Sequence, residues 1–298
     1  MKRVLLALLA LAAACAVYVA VGLPSSAEVR ALADTNPGTT ALMRQRDEEA
    51  RRAGRPPRRR AQAWVPLSRM SRHLIRAVLA SEDQRFFGHD GVDWEAMQKS
   101  IDEDRKKGRF VRGGSTITQQ LAKNLFFSTR KTPTRKLREL VVARWMEQEL
   151  TKRRILELYL NVIEWGDGIY GCEAAARRWF GKPAADLDEE EAAGLAAMIP
   201  NPRRINPKED AARFARARRR VLWLMASAAA GPASRMGTEP PEEVAPEEEE
   251  APAPTPEPER TVEPERSPEP LDTPGTGTGA TRPATPSTGN ETTDENRL

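Results

Sequence analysis

An apolar stretch from Leu74 to Leu79 runs straight into Glu82-Asp83, followed by Arg85-Phe86-Phe87-Gly88-His89-Asp90-Gly91. A carboxylate set against an apolar wall is harder to ionise and can take or give a proton. Glu82 is therefore a candidate acid or base. The competing reading is an acidic helix end with ordinary solvation. His89, next to Gly91, reads as a hydrogen-bonded residue that fixes the turn.

A second segment, Arg112-Gly113-Gly114-Ser115-Thr116-Ile117-Thr118-Gln119-Gln120, leads into Leu121-Ala122-Lys123-Asn124. Gly113 and Gly114 permit a backbone turn closed to other residues. Thr116 with Gln119 three residues later fits a capping box, so a helix starts here. A glycine turn feeding a helix N-terminus offers free N–H groups and partial positive charge to an anion; a plainly capped helix is the alternative. The lysine–serine ending of a P-loop is missing, so no nucleotide is implied. The third segment is Lys131-Thr132-Pro133-Thr134-Arg135-Lys136-Leu137-Arg138-Glu139. Thr132 suits an N-cap and Pro133 the first helical position. Lys131, Arg135 and Lys136 thus crowd a second helix N-terminus, where charge and dipole together would hold a phosphate. Glu139 lies one turn beyond Arg135, and a simple surface pair between them is the other reading. The fourth, Lys152 to Asn161 followed by Glu164-Trp165-Gly166-Asp167-Gly168-Ile169-Tyr170-Gly171, has core spacing. In it Asn161 reads as a capping or network residue.

Other chemistries are excluded by counting. Cys15 and Cys172 are the only cysteines, and His73 and His89 the only histidines. Disulfide scaffolds, cysteine-ligated zinc or iron–sulfur sites and His-rich metal clusters are ruled out.

The elements that must carry these groups are helical. Apolar residues recur at three and four, as in Ile155, Leu158, Tyr159 and Val162. The pattern predicts helices over 68–82, 92–107, 116–127, 133–151, 152–163, 171–180, 187–199 and 208–230. Strand-like alternation is nearly absent, and the class is mainly α. Residues 64–231 form the one domain. Residues 232–298 hold 14 of the 24 prolines and 16 acidic residues against five arginines. They lack the apolar side chains needed to offset ordering entropy, so a disordered acidic tail is expected. The rest of the chain is correspondingly basic. At the other end, Met1-Lys2-Arg3 precedes an apolar run from Val4 to Leu23. About 20 helical residues rise about 30 Å, the thickness of a bilayer core. Residues 1–23 therefore read as a membrane anchor, with a cleaved signal ending near Pro24-Ser25-Ser26-Ala27 as the rival. Lys2 and Arg3 favour an inside N-terminus. Residues 24–63, with eight arginines between 44 and 60, read as a stalk containing one short helix near 39–53. Its arginines are either a solvated face or a contact for anionic headgroups.

Together the four segments resemble the glycosyltransferase domain of bacterial peptidoglycan synthases, glycosyltransferase family 51. The matching residues are Glu82-Asp83-x-x-Phe86-x-x-His89-x-Gly91, Gly113 to Gln120, Arg135-Lys136-x-x-Glu139, and Lys152-x-x-Ile155-Leu156-x-x-Tyr159-Leu160-Asn161. Their order and spacing agree over about residues 64–230. Glu164-Trp165-Gly166 and Ile199-Pro200-Asn201-Pro202 look like the monofunctional branch, the biosynthetic transglycosylases, and no transpeptidase domain is expected in the remainder.

The resemblance implies a lysozyme-like fold acting on lipid II and on a lipid-linked growing glycan. It implies Glu82 as general base and Glu139 as the second essential carboxylate. Lys123, Lys131 and Arg135 would bind the leaving pyrophosphate, with Ser115, Thr116, Gln119 and Gln120 also lining the substrate site. Asp83, Phe86, His89, Gly113, Gly114 and Asn161 are the structural motif residues. No dedicated cofactor is expected; a divalent ion (Mg or Mn) would be shared with the pyrophosphate. Expected partners are the membrane and other cell-wall synthesis proteins, not nucleic acid. The expected location is the cytoplasmic (inner) membrane, single-pass, with the domain on the outer, periplasmic face. Lys131 stands where the family usually has arginine, which keeps charge but loses bidentate geometry, and Asp167 where proline is expected. A lytic enzyme of similar fold and a non-catalytic wall-binding scaffold are the alternatives. Cations aimed at a pyrophosphate argue against the first, and the presence of Glu82 and Glu139 against the second.

Overall fold

A computed structural model describes residues 1–107, 114–129 and 132–230. The acidic tail, Gly113 and Lys131 lie outside the described residues. The first helix, α1 (Lys2–Val21), is long and apolar enough to cross a membrane, and its described side chains lie outside the core.

Residues 24–63 are not a stalk. Ser25 and Glu28 form a reciprocal capping box that starts α2 (Ser26–Ala31), in the stretch that resembles a cleavage region. Val29 and Leu32 are buried in the main core. Thr40 caps α3 (Ala41–Arg52), whose Leu42 and Met43 pack on Tyr170. The arginines mostly find carboxylates of this chain. Arg46 pairs with buried Glu164 at 2.9 Å, Arg58 with Asp167 at 2.9 Å, and Arg60 with Asp47. Apolar burial and the Arg46–Glu164 pair tie the segment to the body, while Arg51, Arg52 and Arg58 stay exposed, in keeping with a solvated face.

Two groups of helices build the body. One is α4 (Arg72–Glu82), α10 (Glu189–Met198) and α11 (Ala211–Ala230), packed against one another. Helix α10 is buried from Ala192 to Met198, and its small residues allow close approach. A Cβ on Gly194 would lie 3.1 Å from Phe214. The other group is α6 (Ile117–Phe126) against α7 (Pro133–Glu149) and α8 (Lys152–Val162). Between them in sequence are α5 (Trp94–Lys107) and, after α8, α9 (Cys172–Phe180).

A small sheet joins the former stalk to the body. Strand β1 (Ala61–Gln62) runs parallel to β3 (Ile169–Tyr170), which pairs antiparallel with β2 (Glu164–Gly166). Strands of two and three residues carry no alternation, which is why the sequence reading misses them. Asn161, fully buried, fastens the same junction: its side chain accepts from Val65 N–H at 3.0 Å and donates to Val65 C=O at 2.9 Å.

Candidate active site

Helix α4 delivers the first carboxylate. Ser71 caps its start, Leu74, Ala77 and Val78 bury one face, and Glu82 is its last residue. Asp83 then turns inward. It accepts from Ile117 N–H at 3.0 Å and meets His89 Nε2 at 3.0 Å. One buried carboxylate thus ties the loop after Glu82 to the start of α6, and His89 is the loop-fixing residue its neighbours suggest. Phe86 is buried beneath the loop, with the Lys152 ammonium 4.5 Å from its ring centre.

The anion expected at the α6 N-terminus is therefore the protein's own. Ile117 N–H is taken by Asp83, and Gln119 N–H by the Thr116 hydroxyl at 3.2 Å. The capping box is half made. Thr116 caps, but the Gln119 side chain donates to Gly91 C=O at 3.2 Å and accepts from Lys136 Nζ at 2.7 Å. Thr116 and Gln119 are 2% and 1% exposed. Both side chains hold groups of the protein here, the loop at Gly91 and, through Gln119, the Lys136 ammonium. Gly114 has φ +96°, and a Cβ there would sit 3.1 Å from Met97 Cα, so glycine is required by both conformation and packing. Ser115 is exposed and accepts from Lys136 at 2.9 Å.

Glu82 itself accepts from Gln120 Nε2 at 2.8 Å, and Gln120 Oε1 accepts from the Tyr159 hydroxyl at 2.9 Å. The phenol fixes which end of the amide faces the carboxylate. Burial pushes the Glu82 pKa up; the Gln120 hydrogen bond and the Lys123 charge oppose this, and Asp83 adds to it. Glu82 is nevertheless partly exposed, so a substrate hydroxyl can reach it.

The second carboxylate, Glu139, is 3% exposed on α7. It pairs with Arg135 one turn earlier and with Lys136 Nζ at 3.4 Å. Thr132 caps this helix, with Pro133 in its first turn, as the sequence predicts. Burial also lowers the Lys136 pKa, opposed by Glu139. Lys123 lies on α6 within the fields of both Glu139 and Glu82. Its pKa is lowered, by burial first, and those two carboxylates counter the shift. Among the described residues its ammonium has no hydrogen bond or ion pair. A half-buried cation without a partner, beside two carboxylates, is a place for an anionic group.

Lys136 and Tyr159 are the site residues the sequence reading underweights. Lys136 is detectable by its three-residue spacing to Glu139. Nothing local marks the Tyr159 hydroxyl, whose partner is 39 residues away.

Among the described residues, one cluster groups atoms that could approach a metal ion. Ligand atoms of Asp83, His89 and Asp93 lie within 4.8 Å of one another. Asp83, however, already holds Ile117 N–H and His89, and Asp93 caps α5 through Ala96 N–H at 2.9 Å.

Comparison with known proteins agrees with this geometry. A family model described as Transglycosylase matches residues 48–226. That span begins inside α3, consistent with the packing of this segment. The biosynthetic peptidoglycan transglycosylase of Aromatoleum aromaticum is 50% identical over 190 residues, 64% of this chain and 82% of that protein. Those of Dechloromonas aromatica and Nitrosospira multiformis are 51% identical over 168 residues and 46% over 193. They are covered to 72% and 84% of their lengths, by 56% and 65% of this chain. With a match across well over half of its length and a mainly α, lysozyme-like body, the chain belongs to the transglycosylase family.

Proposed function

We propose that this peptidoglycan glycosyltransferase works through Glu82 as general base on lipid II. The Glu82 carboxylate takes the proton from the 4-hydroxyl of the acceptor sugar as that oxygen attacks the anomeric carbon of the lipid-linked glycan. The bond to the donor's α-linked pyrophosphate breaks, a β-1,4 bond forms with inversion, and undecaprenyl pyrophosphate leaves. Lys123, Arg135 and Lys136, with Lys131, balance the charge that develops on the leaving group. Glu139 holds Arg135 and Lys136 in place for this. Any divalent ion would be shared between substrate pyrophosphate and protein carboxylate, and no step depends on it.

The observation that carries the reading is the pairing of Glu82, oriented by Gln120, with unpartnered Lys123 beside it. A lytic enzyme has no anionic leaving group for such a cation. Helix α1 supports a membrane setting, and we place the domain on the periplasmic face because Lys2 and Arg3 precede the apolar run. The test is incubation of the full chain with lipid II. Polymer from the wild type and none from Glu82→Gln is expected. Glycan cleavage in place of polymer sinks the proposal.

A further inference from the structure

The N-terminal segment braces both helices that carry the site's cations. Helix α7 is held from α1 and α2: Arg138 Nε donates to the carbonyl of Val19 at 3.0 Å, its Nη2 donates to that of Tyr18, and Arg30 pairs with Glu149 at 3.0 Å. The connection between α6 and α7 is held from α3. Gln45 Oε1 accepts from Thr129 N–H at 2.7 Å, and Gln45 Nε2 donates to the Thr129 hydroxyl at 2.5 Å. The second hydrogen of the same amide goes to Glu49 Oε1, also at 2.5 Å. An ionised carboxylate only accepts, so Glu49 fixes which end of the Gln45 amide faces Thr129 N–H. Glu49 is in turn paired with Arg46, whose other partner is Glu164. The tie thus runs from β2 through α3 to a single residue of the connection.

That residue stands between Phe126, where α6 ends, and Pro133, where α7 begins. Lys123 is in the last turn of α6, and its carbonyl accepts from Phe127 N–H at 3.0 Å. Arg135 and Lys136 are in the first turn of α7. Lys123 lies in the fields of both, and like charges brought together in a half-buried site repel. Glu139 is engaged by Arg135 and Lys136. Repulsion therefore pushes the end of α6 away from the start of α7, most strongly when no anion lies between them. Charge stabilisation of a leaving group needs the opposite, cations already in place before the charge develops. Gln45 acts against the repulsion, and it does so from outside residues 48–226, the span of the family match.

We propose that Gln45 is a positioning residue for the leaving pyrophosphate: by holding Thr129 it keeps Lys123 of α6 within reach of the anion that Arg135 and Lys136 of α7 also face. This rests on the glycosyltransferase reading, which supplies that anion.

The test is equilibrium binding of undecaprenyl pyrophosphate to the full chain in detergent, with thermal melting beside it. Gln45→Met keeps the length and helix propensity of the side chain and removes both hydrogen-bonding ends. It is expected to bind about fivefold more weakly than wild type, the order of one net hydrogen bond. In Lys123→Ala the same change should have almost no effect, because the group it positions is gone. Thr129→Ser keeps both partners of the amide and should retain wild-type binding. Thr129→Val keeps only the N–H and should fall between wild type and Gln45→Met; it carries the test should Gln45→Met misfold. Unchanged binding in Gln45→Met, or an equal loss with and without Lys123, overturns the proposal, since the second would make the tie a matter of general stability. A parallel lipid II assay separates the two readings. Binding that weakens in Gln45→Met, with no polymer from wild type, sinks the enzymatic reading alone. Polymer from wild type, with Gln45→Met binding equally well, sinks the positioning role alone.

Discussion

Replacing Tyr159 by Phe removes one oxygen atom from the hydrogen-bonded chain Tyr159–Gln120–Glu82. In the native protein, turning the Gln120 amide over would aim its NH2 group at the phenol and strand the buried hydroxyl hydrogen. The amide therefore keeps its NH2 group toward Glu82, an arrangement that favours the ionised carboxylate. With Phe at 159 the flipped amide becomes accessible, and its oxygen accepts from protonated Glu82. The variant thus stabilises the inactive protonation state. A neutral hydrogen bond contributes about 0.5–1.5 kcal/mol net, which is about a two- to tenfold loss of ionised base. The loss must be confined to the acid limb of the kcat/KM profile, which moves to higher pH, while the plateau above it is shared with wild type. Lipid II polymerisation measured across pH, beside thermal melting of both proteins, decides the matter. A uniform drop at every pH would mean that the hydroxyl only supports packing, and an unmoved acid limb would refute the orienting role.

Glu82→Gln is expected to lower turnover by about 10²–10⁴-fold, the usual contribution of a general base. The same variant should melt higher than wild type at neutral pH. Burial holds the Glu82 pKa above its ordinary 4.5, so ionisation penalises the folded state increasingly as pH rises through the folded value. Below about pH 4.5 both states are protonated and the difference should vanish; a variant less stable than wild type at neutral pH contradicts this. Lys123→Ala should reduce turnover by about 10²–10³-fold, as for other transition-state charge stabilisers, with little change in melting temperature. A large fall in melting temperature with activity retained would return Lys123 to a structural role. Arg46→Ala leaves Glu164, only 5% exposed, without its close cation. A loss of about 3–5 kcal/mol in denaturant unfolding is expected, and a change below about 1 kcal/mol would show the pair to be dispensable.

Much of this architecture can be read where a local rule decides. Thr132-Pro133 opens α7, and the periodicity of Ile155, Leu158, Tyr159 and Val162 places α8, because caps and helical faces are short-range features. Glu82 and Glu139 stand out for the same reason: each sits at a fixed offset from a recognisable helix end or cation. What escapes is decided at long range. Ser25 and Glu28 form a true capping box, yet beside an apolar leader they look like a processing region. Arg46 of α3 looks as solvated as its neighbours until Glu164, 118 residues on, arrives against it. Gln119 fits a box with Thr116, but Gly91 and Lys136 offer its amide better-placed partners.

In the membrane setting proposed for α1, the hydrogen bonds of Arg138 to Tyr18 and Val19 near its end make the bilayer a reference for height. A helix of 20 residues spans about 30 Å and tilts when the hydrocarbon layer is thinner than its apolar length. On a loose tether such a tilt would be lost in the linker. Here Val19 and Tyr18 are gripped by the residue that precedes Glu139. Leaning of α1 is therefore passed to α7 and changes how far Glu139, Arg135 and Lys136 stand from the headgroups. In that proposed setting lipid thickness becomes a mechanical input to the candidate site, and turnover in vesicles should follow acyl-chain length with an optimum near the helix's own span.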